Sequence, residues 1–383
     1  MLLAARALVP ATAGDTLLPL DARWRVELPV AAVAPPARDD ERVYVPLGDG
    51  TLASFAVDDG RKDWTASLAA RHEPVTADGL VFVSASEALV ALEAQTGSVR
   101  WSVPFDDLVA SPAVRGSWVV VGDAAGAVAG LRALDGGVVW RRSFESALGA
   151  PPTIEGERVY LPLEDGRVVA ARVLTGQPLW TRRLGGAARE ALAVEDRLYV
   201  GSLDNFFYCL DTRDGAVRWR WRTGADVRGA PAADAARIYF TSLDNQMRAL
   251  DRRTGVQRWR RPLGARPLGG PAVTTGVVLA PISASRVRLY RADTGAPMDS
   301  LPASAPLVFV SRFDTRDDRA VLVGVTVDVA GATELQAFGR AFAPPLQPLE
   351  EAPGVAVGTG VPLARTELPA RWLPLPALPK RVG

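Results

Sequence analysis

The sequence predicts an all-β protein: a closed eight-bladed β-propeller of four-stranded antiparallel blades, with the N-terminal strand completing the last blade. Three observations predict it. Tryptophans recur on a grid of nearly constant spacing, each interval reads as four short strands, and the final interval lacks a strand that the N-terminus can supply.

The grid comprises Trp24, Trp64, Trp101, Trp140, Trp180, Trp219 and Trp259, separated by 40, 37, 39, 40, 39 and 40 residues. A further step of 40 reaches Asp299, where the surrounding pattern persists without the tryptophan. Trp118, Trp221 and Trp372 fall off the grid.

The interval ending at Trp259 shows the unit most clearly. Gly229-Ala230-Pro231-Ala232 opens strand A, and Arg237-Ile238-Tyr239-Phe240-Thr241 is strand B. Leu243-Asp244-Asn245 turns into strand C, Gln246 to Asp251. Thr254-Gly255 turns again into strand D, Val256-Gln257-Arg258-Trp259-Arg260. Runs of about five β-branched and aromatic residues, punctuated by turn residues every 8–12 positions, are the signature of such blades. Strand-A starts are read near Val30, Pro74, Pro112, Pro152, Leu192, Pro231, Pro271 and Leu307. The last unit, Leu307 to Phe338, offers strands A, B and C only, and Ala22-Arg23-Trp24-Arg25-Val26-Glu27-Leu28 is the available fourth. Such a clasp removes an open sheet edge. The predicted organisation is an N-terminal extension (1–20), the propeller (21–341) and a Pro-rich tail (342–383).

The motif that carries the grid is Ala-x-Asp-x-x-Thr-Gly-x-x-x-Trp, complete from Ala249 to Trp259 and nearly so from Ala91 to Trp101. Gly60, Gly136, Gly176, Gly215 and Gly295 hold the glycine slot elsewhere. The glycine supplies a turn at positive φ, and the aspartate accepts turn amides. The small residue leaves room for a ring, and the tryptophan is a plate that docks on the neighbouring blade. Burying one indole removes about 200 Å² from water, about 5 kcal/mol before entropy. Trp24, Trp64, Trp101, Trp140, Trp180, Trp219 and Trp259 are therefore expected to be structural docking residues.

This motif resembles the tryptophan-docking motif of pyrroloquinoline-quinone (PQQ) type propellers, as does the lettering Leu198-Tyr199-Val200-Gly201-Ser202-Leu203-Asp204-Asn205 and its repeat Ile238 to Asn245. The resemblance covers residues 24 to about 340 and is closest to the non-enzymatic branch of outer-membrane protein assembly factors, BamB-like propellers. It implies a protein-binding scaffold of the periplasm or cell envelope that docks its partner on one propeller face. Arg228-Gly229-Ala230-Pro231 is similar to an Arg-Gly-containing loop of that branch, although small-Ala-Pro is also repeat consensus. The alternative is a small-molecule (quinone) binding or vestigial quinoprotein dehydrogenase-like propeller.

Bulk numbers are consistent with a large globular domain: 48% hydrophobic and 23% charged residues over 383, with a formal net charge of +1. That charge gives no global attraction for nucleic acid. One cysteine, Cys209, excludes an intramolecular disulfide, and with one histidine, His72, the chain has too few ligands for a Cys-based zinc site. No run of 18 apolar residues predicts a membrane-spanning helix. Residues 1–13 are apolar and end in Ala-x-Ala, but Arg6 interrupts the apolar stretch of an export signal, and no cysteine there could carry a lipid.

No catalytic, cofactor or metal residues are expected. PQQ enzymes carry an adjacent cysteine pair, which this chain lacks. Asp204, Asn205, Asp244 and Asn245 read as hairpin turns rather than calcium ligands. His72 reads as a solvated loop residue with no nucleophile marked for it. Asp106-Asp107 and Glu350-Glu351 read as solvated charge. What remains is surface. The loops joining strand D of one blade to strand A of the next share a face with the B–C turns, and there arginines mix with apolar residues. Arg189, Arg228, Arg266 and Leu268 are the candidate partner-binding residues. Arginines also line the D strands (Arg182, Arg183, Arg218, Arg220, Arg222, Arg258, Arg260, Arg261), read as edge protection or as an acidic-partner or anionic-surface stripe. The Pro-rich tail, still rich in leucine, is expected to pack across the propeller or dock a partner.

Overall fold

The computed structural model describes residues 20–274, 276–298, 300–311 and 321–340. Asp299, the grid position without a tryptophan, lies outside them, as do the Pro-rich tail and all but the last residue of the N-terminal extension. The described residues form 32 strands and no helix, arranged as eight four-stranded antiparallel sheets.

Each sheet is one blade, in strand order A–B–C–D. Blade six is representative: Ala232–Ala233, Arg237–Ser242, Gln246–Asp251 and Gln257–Pro262. Strand C falls on the predicted residues, and the other boundaries move by one or two. Blade eight is built from Leu307–Val310, Val321–Val327 and Thr333–Arg340, with Leu20–Leu28 as its outer strand. That outer strand pairs from Leu20 opposite Arg340 to Leu28 opposite Thr333, the N-terminal clasp predicted from sequence. The first strand A is a correction. It lies at Ala37–Arg38, seven residues beyond Val30, because the Pro35-Pro36 pair marks its start and Val30 belongs to the loop before it. Blade seven, which has no tryptophan, also has one of the shortest outer strands, Leu301–Pro302.

Burial follows strand position. Strands B and C are buried on both faces, as in Leu80–Ser84, whereas strand D alternates, as in Val217–Arg222 with its tryptophans turned inward and its arginines out. The cores lie between blades. One cluster joins Val120, Val128 and Trp140 of blade three to Val159, Leu161 and Val169 of blade four. Another joins Val323 and Leu335 of blade eight to Val43, Val45 and Phe55 of blade one, which closes the ring.

The grid tryptophans make these joints. The indole Nε1 donates to a carbonyl in the next blade from Trp24 to Val57 (2.6 Å), Trp64 to Ala94 (3.0 Å), Trp101 to Ala133 (2.9 Å), Trp140 to Val173 (2.7 Å), Trp180 to Thr212 (2.9 Å) and Trp259 to Ala292 (3.0 Å). Opposite each ring, across to strand C, is a small residue: Ala337, Ser54, Ala91, Gly130, Ala170, Cys209 and Ala249. A one-residue bulge precedes every grid tryptophan, leaving Arg23, Asp63, Arg100, Val139, Leu179, Arg218 and Arg258 without a cross-strand partner. Bulges increase local twist and re-aim side chains. Here the twist turns the indole out of its own sheet and onto the neighbour. Nothing in the sequence marks the bulge, because its extra residue has no preferred type.

Candidate functional site

The loops entering each blade and the B–C turns share one face. Isolated bridges stitch them together, Ala32 to Leu47, Ala70 to Ala85, Leu108 to Asp123, Leu148 to Leu163 and Pro267 to Ile282. The loops ring the mouth of a central cavity of about 650 Å³ whose wall includes Pro35, His72, Pro231, Leu268 and Phe309. Most of the wall is backbone and small side chains, because the strand-A starts are Gly, Ala and Pro.

The loops are held, not free. Asp204 accepts from Gly185 N (3.0 Å) and Tyr208 OH (2.6 Å), and Asp244 accepts from Gly224 N (3.1 Å). Both aspartates are followed by an asparagine in the left-handed region, Asn205 at φ 64° and Asn245 at φ 59°, the turn role read from sequence. Arg248, almost fully buried, closes on Asp244 and on Ser242 Oγ. Burial alone would raise the Asp244 pKa, but these bonds to Arg248, Ser242 and Gly224 N hold it down at about 2.

Of the four candidate partner-binding residues, Arg189 is committed within the fold. It lies in strand A of blade five, Ala188–Val194, and not in the loop read from sequence, and it meets both oxygens of Glu164 (2.7 and 3.1 Å) and the Gly149 carbonyl, which ties that strand to blade four. The signal was absent from the sequence because Glu164 lies 25 residues away, in a B–C turn. Arg228 and Arg266 are exposed, and neither side chain has a polar partner among the described residues. Leu268 is half-buried against the blade-seven core and lines the cavity. These last three stand on two neighbouring loops. The Arg228 loop and the Leu268 loop abut backbone to backbone at Gly229 and Gly270, where a methyl group on Gly270 would meet the Ala230 carbonyl at 1.7 Å. Only glycine permits that approach. Glu190 fixes the next joint by accepting from Gly229 N (3.0 Å).

The residues weighed for chemistry have other occupations. His72 is a correction: it is half-buried at the channel mouth, and its Nε2 donates to the Leu108 carbonyl (3.0 Å), with its pKa lowered by burial. Asp107 pairs with Arg71 (2.9 Å), and Glu350 and Glu351 lie outside the described residues. Among the described residues no three His, Cys, Asp or Glu side chains are grouped to hold a metal, and no helix is long and apolar enough to cross a membrane. Arg142, Arg182 and Arg261 were missed as fasteners. Each stands two residues after a grid tryptophan and donates from Nε to the next blade's C–D turn, at Thr175 O (2.9 Å), Gly215 O (2.7 Å) and Gly295 O (2.6 Å).

Comparison with known proteins fits this architecture. The BamB from Moraxella catarrhalis superposes with a TM-score of 0.68 at 18% identity, covering 84% of this chain and 100% of that one. Quinohemoprotein alcohol dehydrogenase from Comamonas testosteroni shares the fold at a TM-score of 0.65 and 14% identity, covering 87% of this chain and 78% of that one. In sequence, the outer membrane protein assembly factor BamB of Yersinia pestis is 24% identical over 198 residues, 46% of this chain and 50% of that protein. That of Burkholderia pseudomallei is 29% identical over 160 residues, 40% of this chain and 41% of that protein. The chain thus spans about half the length of the curated relatives it matches. The family model described as outer membrane protein assembly factor BamB matches residues 4–71, 65–195 and 183–342, and the chain belongs to that family.

Proposed function

We propose that the protein is a non-catalytic, protein-binding scaffold of the cell envelope that serves outer-membrane protein assembly, docking its partner at the channel mouth. The observation that carries this reading is the pair of abutting loops bearing Arg228, Arg266 and Leu268. The loops carry two exposed arginines without a polar partner among the described residues and one half-buried leucine, on backbones that abut. Rigid presentation reduces the entropy lost on association, and arginine beside an apolar anchor is a common composition of interface centres. Family membership supplies the assembly context.

Affinity purification from the native envelope tests this reading. The wild-type chain should capture outer-membrane assembly components, and Arg228→Glu with Arg266→Glu should lose them at an unchanged melting temperature. Undiminished capture by the double variant, or capture free of assembly components, would overturn it.

A further inference from the structure

The outer wall of the propeller is not uniform. The D strands of blades three to six read Val-Val-Trp-Arg-Arg-Ser, Pro-Leu-Trp-Thr-Arg-Arg, Val-Arg-Trp-Arg-Trp-Arg and Gln-Arg-Trp-Arg-Arg-Pro. They hold ten arginines and no lysine, aspartate or glutamate. The D strands of the other four blades sum to a net charge of +1. On a chain whose formal net charge is only +1, half of the rim is therefore strongly electropositive.

Most of that charge is fixed in place without being neutralised. Arg142, Arg182 and Arg261 are oriented by carbonyls, as described above, and a carbonyl leaves the cation's charge intact. Arg141 and Arg220 lie 4.7 Å over the rings of Phe105 and Phe206. Arg222 and Arg260 are exposed and without a side-chain partner among the described residues. Arg218 and Arg258 are the two that bond a carboxylate closely, on Asp211 and Asp251. Arg183 stands 3.8 Å from Asp165, which Arg167 already holds at 2.6 Å.

A second observation is independent of charge. The described residues leave ten large apolar side chains exposed, and seven of them sit on these same four blades. They occupy the C–D turns, with Leu134 68% and Leu174 57% exposed, or the first residues of the D strands, such as Val138, Leu179 and Val217. Every D strand runs from the C–D turn towards the loop face. Each of these strands therefore starts at exposed apolar residues and ends in arginines that no carboxylate holds closely, the two offset by about three residues, about 10 Å at about 3.3 Å per residue.

We propose that this wall rests on an anionic phospholipid bilayer. The arginines engage headgroup phosphates, for which the guanidinium fork is suited, and the apolar row reaches between the headgroups. The arrangement favours a bilayer over an acidic protein. A protein interface gathers its apolar residues at the centre and its charges at the rim, whereas here the exposed apolar residues lie at the C–D edge of the wall and the arginines that no carboxylate holds closely lie beyond them on one side. The wall is also convex across four blades, a shape that rests on an extended surface and does not seat in one partner's groove. The loop face with Arg228 and Arg266 is approached from a different side and stays open, so the two surfaces are independent.

Sedimentation of the full chain with lipid vesicles tests the proposal. Binding is expected to phosphatidylethanolamine–phosphatidylglycerol vesicles and not to phosphatidylcholine vesicles, and it should fall as salt is raised. Arg141→Gln with Arg222→Gln and Arg260→Gln should weaken binding at least about tenfold. Leu134→Asn with Leu174→Asn should weaken it without changing its salt dependence. Both variants should melt as the wild type and should keep partner capture through the loop face. Equal binding to both vesicle types, or undiminished binding by either variant, would overturn the proposal. Retention on immobilised polyglutamate without vesicle binding would assign the wall to an acidic protein and overturn it as well.

Discussion

The six-membered ring of Trp24 covers Gly60 of the adjoining blade so closely that a methyl group on Gly60 would lie 2.6 Å from the indole Cε3. Trp64 covers Gly97 in the same way, Trp140 covers Gly176, and Trp259 covers Gly295. The turn glycine is thus required twice over, by its φ of +74° and by the ring above it. Trp24→Ala should cost about 3 kcal/mol, reflecting a half-buried indole that closes the ring. Gly60→Ala should cost about 2 kcal/mol despite adding only a methyl group, because strain and overpacking add. Urea unfolding checks both. A Gly60→Ala variant as stable as the wild type would show that the ring and turn separate freely.

Trp219 departs from its six counterparts. Its Nε1 is buried without a partner, and the Arg252 carbonyl in the equivalent position accepts from Tyr199 OH instead (2.8 Å). Trp219→Phe and Trp259→Phe remove similar apolar surface, but only the second breaks a hydrogen bond. The expected difference is about 1 kcal/mol, with Trp219→Phe the milder. Equal costs would mean that the Trp259 bond to Ala292 contributes nothing net.

The tryptophan period made the fold legible, because a ring of identical joints repeats its side chains at identical spacing. Closure by Leu20–Leu28 was legible for the same reason: one strand too few at one end and one too many at the other. Strand A of blade one was not, since its two residues are marked only by Pro35-Pro36. The site was less legible. Whether an arginine in an entering loop is spent or free depends on a partner in another blade. Glu164 takes Arg189, and among the described residues nothing comparable reaches Arg228 or Arg266. Local reading of a loop does not register such distant pairing.

Asp244 and Arg248 should make the loop face sensitive to acid. The Asp244 carboxyl sits at about 2, below its ordinary 3.8, so its contribution to stability is complete above pH 3.8 and is lost as pH falls through about 2. Asp244→Asn leaves the buried Arg248 unpaired and should cost about 3 kcal/mol near neutrality. The variant should also flatten the acid limb of the stability profile below pH 3.8. Thermal melts from pH 2 to 7 read out both effects, and an acid limb parallel to that of the wild type would place the sensitivity elsewhere.

Cys209 fills the small slot opposite Trp219, at the joint between blades five and six. It is fully buried, and burial pushes its thiol up to about 11 even with the Arg197 guanidinium 4.0 Å away. At pH 8 only about one thiol in a thousand would be ionised, and that one has no access to reagent. A thiol reagent should therefore label the chain only when this joint opens, so the labelling rate reports blade separation. Cys209→Ala should stay within about 1 kcal/mol of the wild type, since alanine occupies the same slot at Ala249 and Ala91. Cys209→Leu drives a branched side chain towards the indole and should cost about 1–3 kcal/mol. It should also raise the labelling-independent opening rate seen by amide exchange along strand D of blade five. Rapid labelling of the native protein would show that the joint between these blades is open to solvent far more often than its packing implies.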